Sequence, residues 1–285
     1  MSWSVLAYVE GAPTSVCFSK SSPVKFYIGF ALGDIYQVDW SFMQTLDPSS
    51  VMDKLSLEAR IPDVCCNAIA VDSSGSLLVT DPRHHAVLRV TGSTSYMHYI
   101  SCFENYPLVG PLNVCCDSST GSIAFTDSGL PGETGLHRPT GSLFVLSEKG
   151  NLLSLCHKTL ASPGSLCFDR AGARLYVIEA GQNRILRFHQ QRSSSAWEGR
   201  VFLQLAGSSD PVAIVCAHDG HLMIAFNSAD GAATIKLFND DGVHLANLPE
   251  YPGKLISSLT LSPDGDCLIA VDQSSHQLFT YRLAN

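Results

Sequence analysis

Charge is scarce in this sequence. Asp, Glu, Lys and Arg together make up 15% of the 285 residues, against 45% hydrophobic residues. That leaves little material for long solvated helices or a disordered tail, and ample material for a large core. Lys and Arg number 18, nowhere cluster along the chain, and leave a net charge of −8. A nucleic-acid groove needs a concentrated basic patch, so nucleic acid is not an expected partner. No apolar stretch reaches the roughly 18–20 residues that span a bilayer, so no membrane span is expected either. The opening residues, Met1-Ser-Trp-Ser-Val-Leu-Ala7, carry no basic residue ahead of a short apolar run. That is not the pattern of a secretory leader.

Several motifs are missing as well. Gly-x-Ser-x-Gly does not occur, and no Gly-rich segment leads into a helical pattern, which excludes a nucleophile elbow and a phosphate-cradling loop. C-x2-C is absent although the chain holds ten Cys. The neighbours in Cys65-Cys66 and Cys115-Cys116 point to opposite faces of an extended chain, which disfavours zinc. Most of the ten lie in apolar runs, where free Cys behaves as a small hydrophobe. These features predict a soluble protein of a reducing, cytoplasmic compartment.

What is present is a repeat. A short apolar run ending in a polar residue, a tight turn and a second apolar strand occur six times. Ser15-Val-Cys-Phe-Ser19 leads to Lys25-Phe-Tyr-Ile28, Asn67–Asp72 leads to Ser76–Asp81, and Asn113–Asp117 leads to Ser122–Asp127. Ser165–Asp169, Ala213–Ala217 and Ser258–Ser262 open the other three copies. The terminators at 19, 72, 117, 169, 217 and 262, polar except for Ala217, stand 45 to 53 residues apart, the length of one four-stranded propeller blade. Gly with Ser, Asp or Pro builds the turns, as hairpins require.

The ends complete the pattern. The sixth copy runs out after three strands, and an unassigned strand over 4–9 precedes the first. It can fill the missing place and close the ring without an open edge. The expected fold is therefore all-β: one six-bladed β-propeller of four-stranded blades over 1–285. The blades fall at 11–60, 61–106, 107–161, 162–206, 207–250, and 251–285 with 3–10. Three segments break the rhythm: 40–62, with a helical turn around Ser50–Glu58; a loop over Ser128–Pro139; and a polar outer loop over Gln190–Gly199.

Ser122-Ile-Ala-Phe-Thr-Asp127 followed by Arg138-Pro-Thr-Gly-Ser-Leu143 resembles strictosidine synthase-like proteins. The strand pair from Arg174 through Phe188 is similar to that group, to SMP-30/gluconolactonase proteins and to NHL repeats. The resemblance implies a propeller whose inner strands begin with Glu, Asn and Asp around a divalent cation. Such a cation needs several converging oxygen ligands, and it polarises a lactone carbonyl or activates water. The implied ligand position lies five residues before each terminator, at the channel entrance: Thr14, Asn67, Leu112, Gly164, Val212 and Ser257. The family's Glu, Asn and Asp fall on Thr14, Gly164 and Val212. Only Asn67 keeps an amide, with Asn113 one residue out of register and Glu10 four residues early. No Glu base stands in Leu255–Leu259, where strictosidine synthase-like proteins carry one.

Other candidates have ordinary readings. Glu179 reads as a solvated turn carboxylate, with a general acid or base as the competing role. Asp81 and Asp127 read as turn caps, and His84-His85 as a surface loop whose side chains diverge. Tyr96–Ile100 and Phe103–Tyr106 read as an outer strand and loop that could meet another protein. With no catalytic residue, cofactor or metal assigned, the expectation is a non-catalytic scaffold that docks protein partners in an intracellular assembly. The alternative is a divergent hydrolase of the SMP-30 or strictosidine synthase-like type. It would be a metal-dependent lactonase holding Ca²⁺ or Zn²⁺ on Glu10, Asn67 and Asn113. A further alternative is a propeller that binds a small molecule without turnover.

Overall fold

Six four-stranded antiparallel sheets form around one axis. The chain is seen in a computed structural model that describes residues 2–19, 21, 23–117, 119–129, 138–191, 196–207 and 209–283. The innermost strands are Pro13–Phe18, Ala68–Val71, Pro111–Cys116, Pro163–Phe168, Asp210–Cys216 and Ile256–Leu261. Each packs beside the next, and the sixth packs beside the first, so the ring is closed. The structure is a six-bladed β-propeller.

The second strands are buried almost throughout: Leu77–Asp81, Ile123–Asp127 and Cys267–Asp272 have no exposed residue. Stacked blades bury both faces of a sheet, which is why these strands read as apolar runs without alternation. The core divides accordingly into separate clusters between neighbouring blades. Cys115 packs in the cluster of Leu166, Leu175 and Val177, while Cys116 packs on the other side with Phe125 and Phe144. The two adjacent thiols do face opposite ways.

Trp3–Tyr8 closes the last blade, pairing antiparallel with Gln277–Arg282 from Trp3↔Tyr281 to Tyr8↔Gln277. The Trp3 indole donates to Pro249 O at 3.1 Å and meets the Tyr251 ring edge-on at 5.2 Å. This anchors the closing strand to the loop ahead of blade six's inner strand.

Two irregular segments differ from expectation. The helical turn expected around Ser50–Glu58 is present as a 3₁₀ turn and has company: a one-turn helix covers Trp40–Met43, and 3₁₀ turns cover Pro48–Ser50 and Met52–Lys54. Asp47 caps the first 3₁₀ turn by accepting from Ser49 N at 3.0 Å, with Pro48 at the first helical position. Ser56–Glu58 belongs to the outer strand Ser56–Arg60. In blade four, strands run to Gln190 and resume at Trp197, so the expected outer loop is shorter than Gln190–Gly199. Its residues 192–195, and 130–137 of the expected Ser128–Pro139 loop, lie outside the described residues. No helix among the described residues is long and apolar enough to cross a membrane.

Candidate functional site

All six inner strands converge on a central cavity of about 220 Å³. The positions counted back from the terminators stand at the starts of the inner strands, and five of the six interrupt the strand ladder. Register shifts fall at Thr14, Leu112, Val212 and Ser257, and one spans Gly164-Ser165. In blade two, Asn67 stands just before the strand and donates its N–H to Thr80 O. A β-bulge turns one residue out of the ladder and re-aims the next. The preceding blade holds the bulges in place. The Thr80 and Thr126 hydroxyls donate to Leu112 O at 3.0 Å and Gly164 O at 2.9 Å.

The cavity is therefore lined one residue further along than the counted set. Ser15, Asn113, Ser165 and Ser258 line it, and Thr14, Asn67, Leu112, Gly164, Val212 and Ser257 do not. Of the three ligands of the metal-dependent alternative, only Asn113 reaches the lining. Asn67 stands just before its inner strand, outside the lining, and Glu10 is in the exposed turn before blade one's inner strand. Ser15 Oγ accepts from Ile69 N at 3.3 Å, and Ser165 Oγ accepts from Ile214 N at 3.2 Å. Each hydroxyl spends its oxygen on the next blade and keeps its own proton to donate. Reading the sequence missed these serines because a bulge shifts register without changing the repeat. Asn113, standing one place late, was the only trace of it.

A second tier of thiols lies two residues on from Ser15, Asn113 and Ser165, at Cys17, Cys115 and Cys167. Burial pushes all three well above the ordinary thiol value, and neighbouring thiols add to this. These are neutral thiols at neutral pH, not thiolate nucleophiles. The cavity thus presents amide and hydroxyl donors over an apolar, uncharged wall.

A cation of the family type does not fit these residues. No carboxylate occupies any of the six entrance positions, and among the described residues no group of three or more His, Cys, Asp or Glu could hold a metal ion. A hard divalent ion needs several charged or carbonyl oxygens at once. Asn113 alone does not supply them.

The carboxylates that do lie on this face are structural. Asp81, Asp127, Glu179 and Asp272 end second strands and are at most 4% exposed. Each clips the segment entering the adjacent inner strand. Asp81 accepts from Cys65 N, Asp127 from Val109 N and Gly110 N, and Asp272 from Lys254 N and Leu255 N. Glu179 is not the solvated turn carboxylate expected. It accepts from Ala161 N at 2.9 Å and pairs with Arg184 across its hairpin. Asn227 takes the same place in blade five, exchanging two hydrogen bonds with the Ile256 backbone. Burial pushes the Asp272 carboxyl up, but hydrogen bonds from Ser274 and the Ser275, Leu255 and Lys254 N–H groups outweigh it and hold it below its usual value.

His84 and His85 diverge. His84 Nδ1 lies 2.5 Å from Asp81 Oδ2, whereas His85, in the left-handed region, meets Val109 O at 2.6 Å. Tyr96–Ile100 lies in the outer strand Ser95–Ile100. Phe103 and Tyr106 belong to a small hairpin in which Phe103 packs on Phe144 at 5.2 Å.

A family model described as the SMP-30/Gluconolactonase/LRE-like region matches residues 33–269. The chain belongs to this family. The match overturns the expectation of a non-catalytic docking scaffold, since the family is one of gluconolactonase-type enzymes and an enzyme is the better-supported class. No curated protein matches the sequence. Among solved structures, a gluconolactonase from Xanthomonas campestris is 18% identical with a TM-score of 0.76, covering 99% of this chain and 89% of that one. A calcium-binding protein, regucalcin, from Agrobacterium tumefaciens is 17% identical with a TM-score of 0.73, covering 97% and 92%. A virginiamycin B lyase from Staphylococcus aureus is 14% identical with a TM-score of 0.64, covering 97% and 82%. At such identities these likenesses concern the fold. Within the SMP-30/gluconolactonase family, this member departs at the entrance positions that would carry the cation.

Proposed function

We propose that this member of the SMP-30/gluconolactonase family is a hydrolase of small, uncharged cyclic esters, with its substrate held in the central cavity. One observation carries the reading: Asn113, Ser15, Ser165 and Ser258 line a channel of small-molecule size in a fold matched to this family. In lactone hydrolysis, water adds to the carbonyl carbon and charge builds on the carbonyl oxygen. The ring C–O bond then breaks, and a proton passes to the departing alkoxide. Neutral donors fixed in advance at that oxygen lower the barrier, and a low-dielectric wall strengthens them. The Asn113 amide and the free hydroxyl protons of Ser15 and Ser165 are suited to this role. The neutral thiol tier beyond them favours an apolar ring substituent over a charged one.

The absence of a carboxylate or imidazole from the described lining favours a second reading, in which the channel binds such a molecule without turning it over. Purified protein assayed on a panel of aliphatic and aromatic lactones separates the two. Turnover that falls at least about tenfold in Asn113→Ala, with the melt unchanged, supports the hydrolase. Saturable binding without turnover supports the second reading. Neither turnover nor binding across the panel would sink both.

A further inference from the structure

The basic residues are scattered along the sequence, yet the fold gathers three arginines on one face of blade four. Within its sheet, Arg174 lies opposite His189, and His189 lies opposite Glu198. One row along, Tyr176 lies opposite Arg187, and Arg187 lies opposite Arg200. These two rows line a cavity of about 250 Å³ on the side toward blade five, formed by Arg174, Arg187, His189, Glu198 and Arg200.

Like charges directly opposite one another on antiparallel strands repel. The Arg187–Arg200 pair is of this kind, and its compensation is thin. Arg187 donates to the backbone carbonyl of Asp240 at 3.0 Å, hydrogen-bonds the Tyr176 hydroxyl, stacks over Phe202 at 4.8 Å, and makes no carboxylate ion pair among the described residues. Arg174 reaches the Asp240 carboxylate only at 3.8 Å, and Arg200 reaches Glu198 only at 3.6 Å. The other Glu198 oxygen accepts from Gln191. The remaining carboxylate nearby, Asp169, accepts from Ala173 N and Arg174 N in its own turn. Three guanidinium forks carried on adjacent strands therefore line one concavity, with their charge incompletely matched. Planar guanidinium groups bind phosphate oxygens two at a time, and three of them suit a tetrahedral dianion.

We infer that this cavity is a binding site for a phosphate group, either free inorganic phosphate or the phosphate ester of a small metabolite. It is separate from the central channel, since it shares no residue with that lining.

Isothermal titration at constant ionic strength, with inorganic phosphate, glycerol 3-phosphate and chloride as probes, tests this. Saturable 1:1 binding of a phosphate probe with no saturable chloride binding is expected. Arg200→Gln, at an exposed position, and Arg187→Gln should each weaken it at least about tenfold, while Glu198→Gln should tighten it. Preference for glycerol 3-phosphate would identify the ligand as an ester, and preference for inorganic phosphate would identify the free ion. Chloride binding as well as phosphate, no saturable heat with either phosphate probe, or unchanged affinity in Arg200→Gln with a native melt would each overturn the assignment.

Discussion

Glu179 Oε2 lies 2.7 Å from Arg184 Nε, with the carboxylate side chain 1% exposed and its other oxygen accepting from Ala161 N. The two residues are directly opposite on adjacent strands, so one short hairpin supplies both partners. The carboxylate ties blade four's second strand to the segment that enters its inner strand.

Glu179→Ala leaves a backbone donor and a guanidinium without their partner. A fully buried broken pair costs roughly 3–5 kcal/mol, and the 30% exposure of Arg184 reduces this to about 2–3 kcal/mol. Urea denaturation should show that loss. Under the proposed hydrolase reading, activity per folded molecule should stay at the wild-type level, because Glu179 is not part of the cavity lining. A fall in activity beyond the loss of folded protein would return Glu179 to the catalytic candidates.

Gly172 has φ +67°, and a Cβ there would stand 2.0 Å from Asp117 Oδ2. Gly150 has φ +82° with nothing within 4 Å. Gly172→Ala should therefore cost about 2–3 kcal/mol and Gly150→Ala only about 1 kcal/mol. The same denaturation assay measures both. Equal losses would mean that the Asp117 carboxylate yields without cost.

Acid should destabilise the protein through Asp72 and Asp272. Burial pushes Asp72 up, but the Ser74 hydroxyl, the Ser76 N–H and Arg89 at 2.6 Å outweigh it and hold the carboxyl below its usual value, as at Asp272. A depressed folded value contributes stability that is present above the unfolded value near about 4 and lost as pH falls through the folded one. The melting temperature should hold above about pH 5 and decline below pH 4. Asp72→Asn should flatten the decline; an identical acid limb in that variant would count against the assignment.

The entrance positions make a graft testable. Wild-type melting should be indifferent to Ca²⁺ and EDTA, whereas Thr14→Glu with Gly164→Asn and Val212→Asp should gain a melting temperature that rises with Ca²⁺. A Cβ at Gly164 meets only Ile178 Cγ2, at 4.0 Å, so that position has room. A folded triple variant blind to Ca²⁺ would show that the three positions do not converge.

Much of this was legible in the sequence, because a propeller writes its period into the chain. Six apolar strand pairs with polar terminators suffice to count blades, and the unassigned strand before Gly11 suffices to close them. What escaped depends on placement that periodicity does not encode. The bulges carry the channel donors to Ser15, Ser165 and Ser258, one residue beyond the counted set. Glu179 looked like a turn residue because its partner Arg184 is beside it only once the hairpin forms. Arg174, Arg187 and Arg200 are apart in sequence and adjacent only across three strands. The scaffold expectation failed because it rested on missing ligands at six positions, whereas the family match spans residues 33–269.

Closure by Trp3–Tyr8 has a consequence for biosynthesis. Trp3–Tyr8 is made long before it can find its partner, because Tyr281 and Gln277 follow only after all the intervening blades. At roughly 5–20 residues per second, that delay amounts to tens of seconds. Throughout it the nascent chain carries an unpaired strand with no ring to join, and a neighbouring ribosome's copy offers the same missing partner. The joint that completes the sixth blade in the folded protein is, during synthesis, the point most exposed to exchange between chains.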